Sequence, residues 1–172
     1  MRQITAAAHA RVDAVVGGGL VTVGDYAAYL RGMHRFVLMS QVALLEGDLG
    51  SPRQWLEADL ATLHVAPLPR AAPPPVDAHH AAQLGWEYVI AGAAVGARYL
   101  LRHALALGYS ADNGACFLAG HAAGSDWPKF LARLKRANLC EHDLQHLGDG
   151  ALAAFAIAES AFNTAQQSAP HE

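Results

Sequence analysis

The chain has 172 residues, a formal net charge of -3, and 53% hydrophobic against 16% charged residues. That length suits one domain with one sizeable core, and the balance excludes a disordered chain and a polyanion-binding surface, so nucleic acid is not an expected partner. Alanine is abundant and β-branched runs are few, which favours helix over sheet.

In chain order, a first helix is predicted over 2–16, stopped by Gly17, Gly18 and Gly19. Thr22 and Asp25 have the spacing of a capping box, and Tyr26, Tyr29, Leu30, Met33, Phe36 and Val37 then recur at helical intervals. This second helix is expected to end near 47–50. Ser51-Pro52-Arg53-Gln54 reads as the cap of a short third helix carrying Trp55, Leu56, Leu60 and Leu63. Five prolines between Pro67 and Pro75 make the next stretch a surface connection.

A long fourth helix follows, with Asp77 as its expected cap and Gly108 as its stop. A fifth is expected to begin near Ser110 or Asp112 and carry Phe117 and Leu118, with 119–124 as a loop holding His121. Ser125 opens a sixth helix with Trp127, Phe130, Leu131 and Leu134, and a last helix covers roughly 140–165. No repeat and no strand pattern occurs. The fold class is all-α, a compact multi-helix bundle over 1–172.

The N-terminus has no apolar signal core, and the most apolar stretch, 89–101, is interrupted by Arg98. Cys116 and Cys140 form no CxxC pair, so neither zinc site nor disulfide framework is expected. These features fit a soluble, cytoplasmic protein.

Two features could carry chemistry. Gly85, Gly92 and Gly96 interrupt the fourth helix, each unfavourable by roughly 1 kcal/mol relative to alanine. Gly92 and Gly96 share a face, which fits close helix packing assisted by Ala93 and Ala97, or a flat ligand pressed on bare backbone. His9 has Asp13 one turn on, either an incidental pair on a surface helix or a metal-binding imidazole with a carboxylate to orient it. His142 and His146 have a permissible zinc spacing, but no HExxH pattern accompanies them and a solvated helix face is the better reading. His79 and His80, if both helical, point about 100° apart and do not readily share an ion. His34 reads as packed or partly exposed. Hydrolase, NTPase and dinucleotide fingerprints are missing.

Together these stretches resemble bacterial haem oxygenases. Residues 2–13, with Arg2, Thr5, His9 and Asp13, look like the family's first helix, and 25–46 and Trp55 to Leu60 are similar to the next two segments. The fullest match, 84–98, resembles the distal helix whose glycines lie on the haem face. Phe117 to Gly120, Trp127 and Phe130 fit the later helices. The resemblance spans about residues 2–162.

It implies haem as substrate and cofactor, His9 as iron ligand, Asp13 as its orienting partner, and Gly92 and Gly96 as the catalytic distal wall. Arg2, Lys129 and Arg133 would meet the propionates, although the latter two also suit a solvated helix face. The implied reaction takes haem and O2 to biliverdin, carbon monoxide and ferrous iron. Its electrons come from a separate reductase or ferredoxin, with no membrane partner. Where the family often has Glu-Gly-Ser-Thr, this chain has Ala91-Gly92-Ala93-Ala94. That departure suits the alternative of a non-catalytic haem-binding protein of the same fold.

Overall fold

The computed structural model describes residues 1–16, 19–44, 50–72, 74–75 and 77–168, without the side chain of Arg2. Seven helices form among them: α1 (Arg2–Val16), α2 (Val23–Ala43), α3 (Gly50–Thr62), α4 (His80–Ala106), α5 (Cys116–Ala123), α6 (Asp126–Arg136) and α7 (Glu141–Gln167). The expected all-α bundle is what the chain adopts. No helix among the described residues is long and apolar enough to cross a membrane.

Local signals set most helix starts. Thr22 Oγ1 accepts from the Asp25 amide at 3.1 Å, and Asp25 Oδ2 accepts from the Thr22 amide at 2.8 Å, closing the predicted capping box. Ser125 precedes α6 as expected, and Cys140 precedes α7, with Asp143 Oδ2 accepting from the Cys140 amide at 2.9 Å. Gly108 ends α4 at φ +92°, a left-handed conformation that glycine adopts without a Cβ clash. Of the other predicted stops, Gly17, Gly18 and 45–49 lie outside the described residues.

Four boundaries differ from expectation, the first being α2, which ends at Ala43 with Leu44 as its cap, short of the expected 47–50. Helix α3 starts at Gly50, so Ser51 sits in its first turn rather than capping it. Asp77 does not cap α4; its Oδ1 accepts from the His79 amide at 2.9 Å, and the His79 ring accepts from the Ala81 amide at 3.3 Å. Helix α5 starts later, at Cys116, and continues to Ala123 through the stretch expected to be a loop, so His121 is helical and buried.

The reason for the α5 shift is tertiary. Ser110 and Asn113 close a tight turn by exchanging amide–carbonyl bonds of 2.9 and 3.0 Å. The first free amides of α5 are then met by Asp59 of α3, which accepts from Cys116 at 2.8 Å and from Phe117 at 2.9 Å. Asp59 is fully buried; burial pushes its carboxyl above the ordinary value and the two amides oppose that rise. Tyr26 donates its hydroxyl to the Gly114 carbonyl at 2.6 Å, which fixes the same turn against α2.

The core runs along α7, which packs on α1, α2 and α4, while α4 also carries α5 and α6. The predicted α2 stripe, from Tyr26 to Val37, is buried here. α4 and α7 meet through backbone. A Cβ on Gly85 would come within 2.5 Å of the Ala151 amide nitrogen and closer still to the Leu147 carbonyl oxygen. A Cβ on Gly150 would sit 2.8 Å from the Ala82 carbonyl carbon. Backbone cannot rotate aside as a flexible side chain can.

Gly85→Ala should therefore overpack the crossing and cost about 1 to 3 kcal/mol. Gly96→Ala adds a methyl into open space and should raise stability by up to about 1 kcal/mol. Thermal melting of the two variants checks the contrast, and an unchanged Tm for Gly85→Ala would contradict the described crossing.

Candidate functional site

Beyond the crossing, among the described residues no helix backbone comes within 4 Å of a Cβ placed on Gly92 or Gly96. A Cβ at Gly92 would meet only the Trp127 ring, at 3.8 Å, and a Cβ at Gly96 would meet nothing within 4 Å. These two glycines are not helix-packing residues; Gly85 is. They border a cavity of about 790 Å³ bounded by α1, α2, α4 and α7, with Trp127 of α6 at one side. That volume lies within the range of small-molecule and cofactor pockets.

His9 and Asp13 stand on the α1 side of this cavity. His9 Nδ1 lies 2.8 Å from Asp13 Oδ2, and the His9 side chain is 59% exposed. A carboxylate acceptor at Nδ1 holds the proton there and leaves the Nε2 lone pair for another partner. The ring packs edge-on to Phe155 of α7, centroids 5.7 Å apart. One wall thus offers an oriented imidazole and the other a helix without side chains at Gly92 and Gly96.

The remaining lining is mostly apolar: Met33 and Phe36 from α2, Val89 and Val95 from α4, and Phe155 and Phe162 from α7. Tyr29 and Tyr88 add phenols, and burial holds the Tyr29 hydroxyl well above its ordinary pKa, so it stays neutral. Ala93 also lines the cavity. These apolar side chains were legible only as core stripes, because periodicity does not distinguish a helix face that meets another helix from one that meets a cavity.

The expected cationic partners are placed differently. Arg2 lies on α1, with its side chain outside the described residues. Lys129 and Arg133 are exposed on α6, and Arg133 pairs with Glu87 of α4. Asp13 is the one charged carboxylate bordering the cavity, and no lysine or arginine does so among the described residues. Arg98 instead ties α4 to α5, donating to the Ala122 carbonyl at 3.2 Å.

Two buried histidines lie away from this cavity. His34 sits 3.8 Å from Glu57 Oε1. His121 packs against Phe117, centroids 4.3 Å apart, and neither of its ring nitrogens meets a hydrogen-bond partner among the described residues. Burial lowers the pKa of both; Glu57 opposes this at His34 and Asp126 at His121.

No family model matches the sequence, and neither does any curated protein. Among solved structures, the chain is similar to the NO- and CO-bound haem oxygenase of Neisseria meningitidis, with a TM-score of 0.81 and 24% identity. The similarity covers 96% of this chain and 89% of that one. The chain therefore has the haem oxygenase-like fold.

The buried histidines predict an acid response. A histidine whose folded pKa is depressed binds fewer protons folded than unfolded. Its stabilising contribution is full above the ordinary value of 6.5 and declines as pH falls below it. The Tm should therefore drop between pH 7.5 and 5, and His121→Phe should reduce that drop. An acid loss in His121→Phe equal to that of the parent would contradict the assignment to this ring.

Proposed function

We propose that the cavity between α1 and α4 binds haem, with His9 as the iron ligand, and that the protein is a haem oxygenase. The observation that carries this reading is the pairing of walls: an imidazole oriented by Asp13 at 2.8 Å, opposite a helix bare at Gly92 and Gly96. A planar macrocycle fits a slot with one coordinating side and one backbone side. The similarity of fold to a haem oxygenase supports the same reading.

Haem, when bound, supplies the iron and redox chemistry by which O2 opens its own ring to biliverdin, carbon monoxide and ferrous iron. The chain contributes binding, orientation and electrostatics. Asp13 accepts from Nδ1 of His9, fixes the ring and raises its basicity toward iron. Gly92 and Gly96 let the α4 backbone approach the opposite face. Phe155, buried beside His9, gives the macrocycle an apolar surface to lie on. Arg2, Lys129 and Arg133 are the cations proposed for the propionates. Arg133 would have to leave Glu87 for a propionate, and the Glu87 side chain is only 23% exposed, so that exchange gives up a partly buried ion pair. Electrons come from a separate donor, since the sequence has no flavin or nicotinamide motif.

A non-catalytic haem-binding role has one observation in its favour. Residues 91, 93 and 94 are alanines, and Ala93 borders the cavity, so this stretch offers no side-chain donor to organise water. Besides His9 and Asp13, the polar groups that remain are backbone groups along α4, the phenols of Tyr29 and Tyr88, the Thr5 hydroxyl and the Trp127 indole.

One experiment separates the two. The haemin-loaded protein is reduced in air with catalase present, to remove free peroxide. Enzymatic ring opening predicts loss of the Soret band with about one carbon monoxide and one biliverdin per haem, whereas a persistent Soret band would leave only haem binding. Gly96→Leu belongs in the same experiment. It should keep the apoprotein Tm, weaken haemin binding at least tenfold and abolish ring opening. Normal haemin affinity in that variant would remove α4 from the site.

A further inference from the structure

A second cluster lies where α4 and α7 begin. His79 and His80 are adjacent in sequence, and the helical geometry that would separate their rings does not apply. His79 is outside α4, with φ -64° and ψ 127°, and only His80 is helical. Their rings stack with centroids 5.0 Å apart. Asp143, in the first turn of α7, brings its Oδ1 to 3.6 Å from His79 Nε2. One ligand atom from each of His79, His80 and Asp143 lies within 4.8 Å of the others.

We propose that His79, His80 and Asp143 form a site for a transition-metal ion of the zinc class, separate from the cavity at His9. Two imidazoles and a carboxylate are a donor set for Zn2+, which binds nitrogen and oxygen at about 2.0 to 2.2 Å. Donors around one such ion are roughly 3.3 to 3.6 Å apart. The cluster reaches that spacing if the exposed His80 ring closes by about 1 Å.

The surroundings hold two of the three donors in place. Asp143 Oδ2 accepts from the Cys140 amide at 2.9 Å, which leaves Oδ1 facing His79. The backbone of His79 is fixed by Asp77, and its ring stacks on His146 at 4.0 Å and 8°. Asp77 Oδ2 is in turn 3.0 Å from His146 Nδ1.

Two effects oppose a cation here. The α4 and α7 N-termini carry partial positive charge. The carboxylates of Asp77 and Asp143 counter it. His79 Nδ1 also accepts from the Ala81 amide, so coordination through Nε2 moves the ring proton to Nδ1 and releases that amide. A bound ion would exchange one weak cap of α4 for a tie between α4 and α7.

The test is calorimetric titration of untagged, chelator-treated, haem-free protein with zinc chloride. One saturable site is expected. His80→Ala should weaken it at least tenfold, and so should Asp143→Asn, whose carbonyl can still accept from Cys140. His142→Ala and His9→Ala should each change it less than twofold. Amide exchange at Ala81 should rise with zinc. Absence of saturable binding would overturn the proposal, and so would unchanged affinity in both His80→Ala and Asp143→Asn. Loss of binding in His142→Ala would also overturn it by moving the ion to the His142–His146 pair, whose Nε2 atoms are 3.3 Å apart. Loss in His9→Ala would do so by moving the ion to the cavity.

Discussion

Gly85 and Gly150 let the backbones of α4 and α7 meet without side chains between them. Where α2 meets α7, the Phe162 side chain lies over Gly32 and stacks on Tyr29. The backbone contact fixes one end of α4 against α7 and leaves its continuation, through Gly92 and Gly96, as the wall of a cavity. Phe155 and Phe162 of α7 line the same space. The site is thus a consequence of where two helices touch and where they do not.

That distinction is invisible to sequence periodicity. Three glycines in one helix look alike, and small-residue packing explains each of them. In the structure Gly85 packs against backbone, while Gly92 and Gly96 do not. Legibility followed the range of the interactions. The start of α2 is closed by Thr22 and Asp25, three residues apart, and could be read directly. The start of α5 is closed by Asp59, which is 57 residues from Cys116, so no local signal marked it. His121 was misplaced with it.

The site itself was partly legible for the same reason. His9 and Asp13 are one helical turn apart, so their 2.8 Å contact is implied by spacing. The opposing apolar wall is assembled from α2 and α7, whose residues have an ordinary core pattern. His79 and His80 show the reverse error. The helical rule that separated them failed because a helix boundary falls between the two residues.

The account rests on His9 meeting iron across from α4, and resonance Raman spectroscopy of the ferrous haem complex tests this most directly. Protein labelled with 15N-histidine should show an iron–histidine stretch displaced from that of unlabelled protein. The band should vanish in His9→Ala and return with added imidazole. The same band in His9→Ala, at full intensity without imidazole, would place the ligand on another histidine and contradict the account.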